Sequence, residues 1–211
     1  MVAEVVPLPG DLTAASIEAL LVWRRDVRHF ETRPIAEAEM ERLFGLAQLA
    51  PSVGNAQPWR FQRVEHHRDA LAAHVDAASA RAAACYDEGR AAAYRALKLH
   101  GFREAPEILA VWSDDAPRAG HGLGIATMPE MLRYSTVIAI HTLWLAARAE
   151  GIGLGWVSIL DPAAITALLG APPHWTLIAI LCLGYPAEPS HVPELERRGW
   201  QAREAVHVER R

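Results

Sequence analysis

Residues 135–160 read STVIAIHTLWLAARAEGIGLGWVSIL, and the fold turns on how this stretch is divided. Its first part, Ser135 to Glu150, is apolar nearly all round, which predicts a helix at the centre of the domain. The glycine run GIGLG (151–155) then breaks the pattern. It misses the G-x-G-x-x-G spacing and follows a helix, whereas a dinucleotide fingerprint follows a strand and opens a helix. Gly151 therefore reads as a left-handed helix stop and the run as a helix-to-strand connection, although glycine also lets backbone approach a flat ligand closely. A strand is predicted over 156–160.

Working outward, helices are predicted at 15–25, 35–49, 129–150 and 161–169. The last is bounded by a capping Asp161, Pro162 in the first turn and Gly170 at the stop. The Ala-rich tract 70–96 reads as one or two helices broken near 87–89. Strands are predicted at 60–65, 108–113 and 176–183, each bounded by Gly, Pro or polar residues. Helices outweigh strands and separate most of them. The expected architecture is α+β, a single domain over 1–211 with a small mixed sheet flanked by helices around the long central helix.

The chain has 211 residues, of which 51% are hydrophobic, enough for one sizeable core. Its 21 Lys+Arg against 25 Asp+Glu give a charge of −4, which excludes a global footprint for nucleic acid and makes any anion site local. Cys85 and Cys182 form no C-x-x-C pair, so neither a disulfide framework nor a zinc site is indicated and a reducing cytoplasm is expected. The opening MVAEVVPLPGDL (1–12) lacks a basic region and an uninterrupted apolar run, so it does not read as a signal peptide. The apolar run 136–147 contains His141 and is too short to cross a bilayer. No P-loop occurs, GHGLG (120–124) misses the dinucleotide spacing, and the ten histidines include no H-E-x-x-H. His66 and His67, being adjacent, point apart.

Two stretches carry candidate chemistry. WRRDVRHF (23–30) places Arg24, Arg25 and Arg28 around Asp26. On a helix Arg24 and Arg28 share a face, and a helix ending near Asp26 lets all three reach one anion; the plain alternative is a solvated basic helix end. A carboxylate among guanidiniums stays ionised and can receive protons in a reaction, or it simply pairs with its neighbours. In APSVGNAQPW (50–59), Ser52, Asn55 and Gln57 offer hydroxyl and amide groups to a heterocycle edge with Trp59 as apolar support; the plain alternative is a helix-to-strand loop without a ligand.

RRDVR followed by PSVGNAQPW resembles the nitroreductase-like flavoprotein superfamily, in which the arginine-rich turn and the P-S-x-x-N-x-Q-P-W loop hold FMN. YRALKLHG (94–101), the stretch 134–160, LCLGYP (181–186) and PELERRGWQAR (193–203) resemble its BluB branch, the 5,6-dimethylbenzimidazole synthases. The resemblance covers nearly the whole chain after about residue 20. It implies a nitroreductase-like homodimer with FMN at the subunit interface. It also implies that reduced FMN is a substrate, fragmented with dioxygen to 5,6-dimethylbenzimidazole and supplied by a separate flavin reductase. On this resemblance Arg24, Arg25 and Arg28 grip the phosphate and the electron-rich side of the flavin. Asp26 and Ser158 handle proton transfers as the ring is dismantled. Ser52 and Asn55 contact the flavin or its ribityl chain, Leu99 walls the pocket, and Arg203 adds a cation at the phosphate, with Arg197 and Arg198 as rivals. Helices over 70–101 form a lid and 187–211 a tail. Ala56 departs from the family's frequent Met and is expected to loosen packing beside the ring.

Three rivals stand beside this reading. An NAD(P)H-dependent nitroreductase or dehalogenase retains FMN and commonly has Ser where this chain has Asp26. A non-catalytic flavin-binding protein uses the same arginines without turnover, and a structural protein binds no flavin.

Overall fold

The computed structural model describes residues 13–211; the stretch 1–12 read above against a signal peptide lies outside the described residues. In chain order the helices are α1 (Ala14–Trp23), α2 (Glu37–Ala47), α3 (Arg68–Ala83), α4 (Glu88–Arg95), α5 (Met131–Ala149), α6 (Pro162–Leu169) and the short α7 (Glu194–Arg197). The strands are β1 (Trp59–Arg63), β2 (Glu107–Asp114), β3 (Gly153–Val157) and β4 (Trp175–Gly184), in spatial order β1-β2-β4-β3.

The sheet has apolar residues on both faces and helices against each. On one face Ile108, Ala110, Trp112, Ile180 and Cys182 pack with Leu71 and Val75 of α3 and Ile165 of α6. On the other, Leu109, Val111, Leu181 and Leu183 pack with Met40 and Leu43 of α2 and Ile140 and Leu143 of α5. Alternate residues of β2 and β4 go to opposite faces, the period of two that a strand imposes, and because both faces are covered the strands read as continuous apolar runs. Every pairing among the four strands is antiparallel. This corrects the expected mixed sheet: the parallel component is confined to an isolated bridge between Asp26 and Leu154.

Local signals fix several ends. The Asp161 carboxylate accepts from the N–H groups of Ala163 and Ala164, Pro162 opens α6, and Gly170 closes it at φ 65°. Gly151 ends α5 at φ 75°. β3, however, begins at Gly153 and ends at Val157, earlier than predicted, so most of GIGLG is strand and not connection. The reason is a close approach. A Cβ on Gly155 would lie 2.1 Å from the carbonyl oxygen of Val27, so the segment after α1 rests directly on the strand backbone.

α5 buries one face, including Leu132, Ala139, Ile140, Leu143 and Ala147, and leaves Tyr134, Val137 and Ile138 exposed. It is central on one side only, not apolar-buried all round. α1 buries none of its residues, and Ile17, Leu21 and Val22 stand exposed. No helix among the described residues is long and apolar enough to cross a membrane.

Candidate active site

α1 stops two residues before the predicted end. Arg24 caps it in extended conformation, with its N–H donating to the carbonyl of Leu20. The chain then runs beside β3, where the Val27 N–H donates to the Leu154 carbonyl at 3.0 Å. This places the three arginines in three different settings. The Arg24 guanidinium lies 4.7 Å from the centre of the Trp144 ring, a cation–π contact. Arg25 donates through Nε to the His191 carbonyl at 2.6 Å, which ties the turn to the C-terminal segment. Arg28 donates through Nη2 to the Trp156 carbonyl at 2.7 Å and pairs with Asp26 at 2.5 Å. Its other terminal nitrogen, Nη1, is buried and has no hydrogen-bond partner among the described residues. Burial, followed by the like charges of Arg24 and Arg203, lowers the proton affinity of Arg25. Guanidiniums that repel one another, one with an unsatisfied buried donor, constitute a site that an anion would stabilise.

Asp26 is held from both sides. Its Oδ1 accepts from the Trp156 N–H at 2.8 Å, a contact spanning 130 residues, and its Oδ2 meets Arg28. Burial pushes the Asp26 carboxyl up from the usual carboxylate range, opposed by Arg28, the Trp156 N–H and Arg24, while Glu194 adds to the rise. Its proton affinity is thus raised, against the expectation that the flanking guanidiniums keep it ionised, because burial outweighs them. Ser158 follows β3 directly and is exposed, two residues beyond the Trp156 that Asp26 engages.

A cavity of about 580 Å³ opens over this turn, within the range of small-ligand sites. Arg24, Arg25, Asp26 and Arg28 line one side, joined by Lys98 and Leu99. The lining also holds an aromatic cluster: Tyr86 from the turn between α3 and α4 and Tyr94 from α4 meet Trp200 from the C-terminal segment. Trp200 stands edge-on to Tyr86 at 5.6 Å and tilted to Tyr94 at 5.8 Å, with the Arg90 guanidinium 4.2 Å from its ring. A lining that combines cations with flat apolar groups fits a planar heterocycle carrying a phosphate. Lys98, Glu194 and the three aromatics were missed in the sequence. The signal available for the tyrosines was their position as the two tyrosines of an otherwise Ala-rich tract.

The loop 51–59 is built separately. Asn55 and Gln57 sit at φ 55° and 47°, uncommon for residues with side chains. An amide chain stabilises them: the Trp59 indole donates to Gln48, Gln48 donates to Gln57 Oε1, and Gln57 Nε2 donates to Asn55 Oδ1. Ser52 Oγ accepts from the Gln57 N–H, and the Val53 N–H donates to Ser135 Oγ on α5. Ala56 is 2% exposed, and a Cβ on Gly120 would come within 2.9 Å of its own Cβ. Its small size thus lets the 120–124 glycine segment pack closely.

Within one chain, then, Arg24, Arg25, Asp26, Arg28 and Leu99 share the cavity, whereas Ser52 and Asn55 do not line it. Ser158 lies just beyond, next to the lining residue Ile159. Arg203 lies over α1 beside Ile17 and Leu21, close enough to Arg25 to affect its charge. Arg198 is drawn to Glu194 at 3.6 Å.

Known proteins resemble this chain over most of its length. The nitroreductase family model matches residues 21–185. The 5,6-dimethylbenzimidazole synthase of Rhodospirillum rubrum is 55% identical over 197 residues, covering 92% of this chain and 93% of that protein. A protein of the same name from Rhodobacter capsulatus is 50% identical, covering 93% of this chain and 96% of its own length. Among solved structures, iodotyrosine deiodinase bound to FMN and 3-iodo-L-tyrosine has the same fold, with a TM-score of 0.73 at 23% identity over 92% of this chain and 97% of that one. The matched region runs from the arginine-rich turn to the end of the sheet, and on that basis the chain belongs to the nitroreductase family.

Proposed function

We propose that this chain is a 5,6-dimethylbenzimidazole synthase, which takes reduced FMN as substrate, uses dioxygen and releases 5,6-dimethylbenzimidazole. The observation that carries the reading is the Asp26 carboxyl, fixed on the Trp156 amide and Arg28 in the wall of a cavity lined by cations and aromatic groups. Relatives of that name at 55% and 50% identity over nearly the whole chain support it.

Bound reduced FMN supplies both the electrons for dioxygen and the carbon skeleton of the product. The chain's own groups then have distinct tasks. Arg24, Arg25 and Arg203 bind the phosphate and balance the negative charge of the reduced ring, and the partnerless Nη1 of Arg28 gains an acceptor. Asp26 holds a proton on its carboxyl and passes it to the reacting atoms, with the Ser158 hydroxyl as its partner. Leu99, the Tyr86–Tyr94–Trp200 cluster and the helices of 70–101 exclude water, which protects reactive oxygen chemistry from decay to peroxide. Ser52 and Asn55 complete the site from a second copy in a homodimer, whose contact is made by the uncovered apolar faces of α1 and α5. A separate cytoplasmic flavin reductase delivers the reduced FMN.

The experiment supplies reduced FMN and air without NAD(P)H, and in parallel NAD(P)H with a nitroaromatic acceptor. The reading predicts dimethylbenzimidazole in the first mixture and no sustained turnover in the second. Steady NAD(P)H oxidation with bound flavin intact would remove it in favour of a nitroreductase.

A further inference from the structure

Asp26 faces more than the large cavity. On the side of the C-terminal segment lies a second cavity of about 30 Å³, room for water and too small for an organic ligand. Arg25, Asp26, Arg28 and Glu194 line both cavities and form the partition between them. His29 and Ser190 line only the small one. Glu194 is mostly buried, with 15% of its side chain exposed, and its Oε1 lies 3.8 Å from His29 Nε2. That separation is just beyond a hydrogen bond, so a small rotation of either side chain brings the two into direct contact. The His29 side chain is 31% exposed and so reaches bulk solvent.

The partners of Asp26 create a need for such a route. Its oxygens are engaged by a backbone N–H and a guanidinium, neither of which gives up a proton at neutral pH. With a ligand filling the large cavity, a proton lost from Asp26 has to be replaced from elsewhere. The charged groups facing Asp26 are Arg28 and Arg24 from its own turn and Glu194 from α7. Glu194 is faced by His29 and by Arg198, and the small cavity is further lined by Arg148, Glu188 and Arg197.

We propose that Glu194 and His29 form a proton route linking Asp26 to bulk solvent through the small cavity, on the side away from the substrate, with Glu194 a positioning residue that acts through Asp26. This rests on the functional reading above. In each passage one proton enters from solvent at His29, passes to Glu194 and then through water to Asp26. Every carrier returns to its starting state, and no electrons move. The charge of Glu194 also strengthens the hold of Asp26 on that proton.

The test compares wild type with Glu194→Gln, Glu194→Asp and His29→Gln in the full chain. Three quantities are measured: the pH titration of the Asp26 carboxyl by 13C NMR without flavin, FMN affinity, and single-turnover product formation from reduced FMN in air across pH. Glu194→Gln is expected to move the Asp26 titration to lower pH and to slow product formation about tenfold or more, and FMN affinity is expected to hold within about twofold in His29→Gln, whose side chain does not line the large cavity. Glu194→Asp restores most of the rate, and His29→Gln slows it with an altered pH profile. An unchanged Asp26 titration and unchanged pH–rate profiles in Glu194→Gln and His29→Gln overturn the proposal. Should Glu194→Gln lose FMN, His29→Gln decides by the same readouts, since His29 does not line the large cavity. If wild type yields no dimethylbenzimidazole, the functional reading falls, and the carboxyl titration still decides the coupling.

Discussion

Replacing Gly155 with alanine tests whether the arginine-rich turn is held on β3 by backbone contact. The new Cβ would stand 2.1 Å from the Val27 carbonyl oxygen, and the segment 26–28 would have to retreat to reach even a tight contact of 3.0 Å. Two hydrogen bonds suffer with that movement, Val27 N–H to the Leu154 carbonyl at 3.0 Å and Trp156 N–H to Asp26 at 2.8 Å. Overpacking of this kind costs about 1–3 kcal/mol, and each lost hydrogen bond adds about 1 kcal/mol. The sum, about 3–5 kcal/mol, lowers Tm by roughly 10 °C in a chain of this size. Because Arg28 and Asp26 move with the turn, FMN affinity falls by about tenfold or more, the equivalent of 1.4 kcal/mol. Thermal melts and flavin fluorescence titration measure both. Gly45→Ala in α2 serves as control: among the described residues nothing lies within 4 Å of its Cβ, so the substitution stabilises the helix by about 0.5–1 kcal/mol. A Gly155→Ala protein that melts with wild type and binds reduced FMN equally well would refute the reasoning.

Three further outcomes are expected. Because folding raises the proton affinity of Asp26, the folded state binds more protons than the unfolded chain between the ordinary aspartate range and the raised value; stability is therefore lost as pH climbs through that window. Thermal melts across pH should show Asp26→Asn without this loss, while the variant still binds FMN and forms no dimethylbenzimidazole. Arg28→Lys keeps the charge but loses the planar fork shared by Trp156 and Asp26, and FMN affinity by titration should fall about tenfold or more. Trp200→Ala removes two aromatic contacts and the Arg90 cation–π contact. Together these are worth about 2 kcal/mol. Stopped-flow fluorescence should then show flavin leaving roughly thirtyfold faster.

How far the sequence foretold this molecule depends on the range of the forces involved. α6 was legible because Asp161, Pro162 and Gly170 act within one helical turn. β2 and β4 were legible because strands covered on both faces are uniformly apolar. β3 was displaced because glycines that signal a break in one dimension admit the Val27 backbone in three. The cation cluster was visible as composition, but its division of labour was not. Arg24 on Trp144, Arg25 on His191 and Asp26 on Trp156 are contacts across more than a hundred residues. The aromatic wall joins the Ala-rich helices to a tail residue, and nothing local to Trp200 foretells that meeting. The separation of Ser52 and Asn55 from the cavity reflects the rigid amide chain through Gln48 and Gln57, which no single motif encodes.

The central claim is tested most directly by an anaerobic mixture of the protein with one equivalent of reduced FMN, opened to dioxygen and analysed by mass spectrometry after one turnover. The account predicts loss of FMN matched by formation of 5,6-dimethylbenzimidazole. Quantitative recovery of oxidised FMN with hydrogen peroxide as the other product would contradict it.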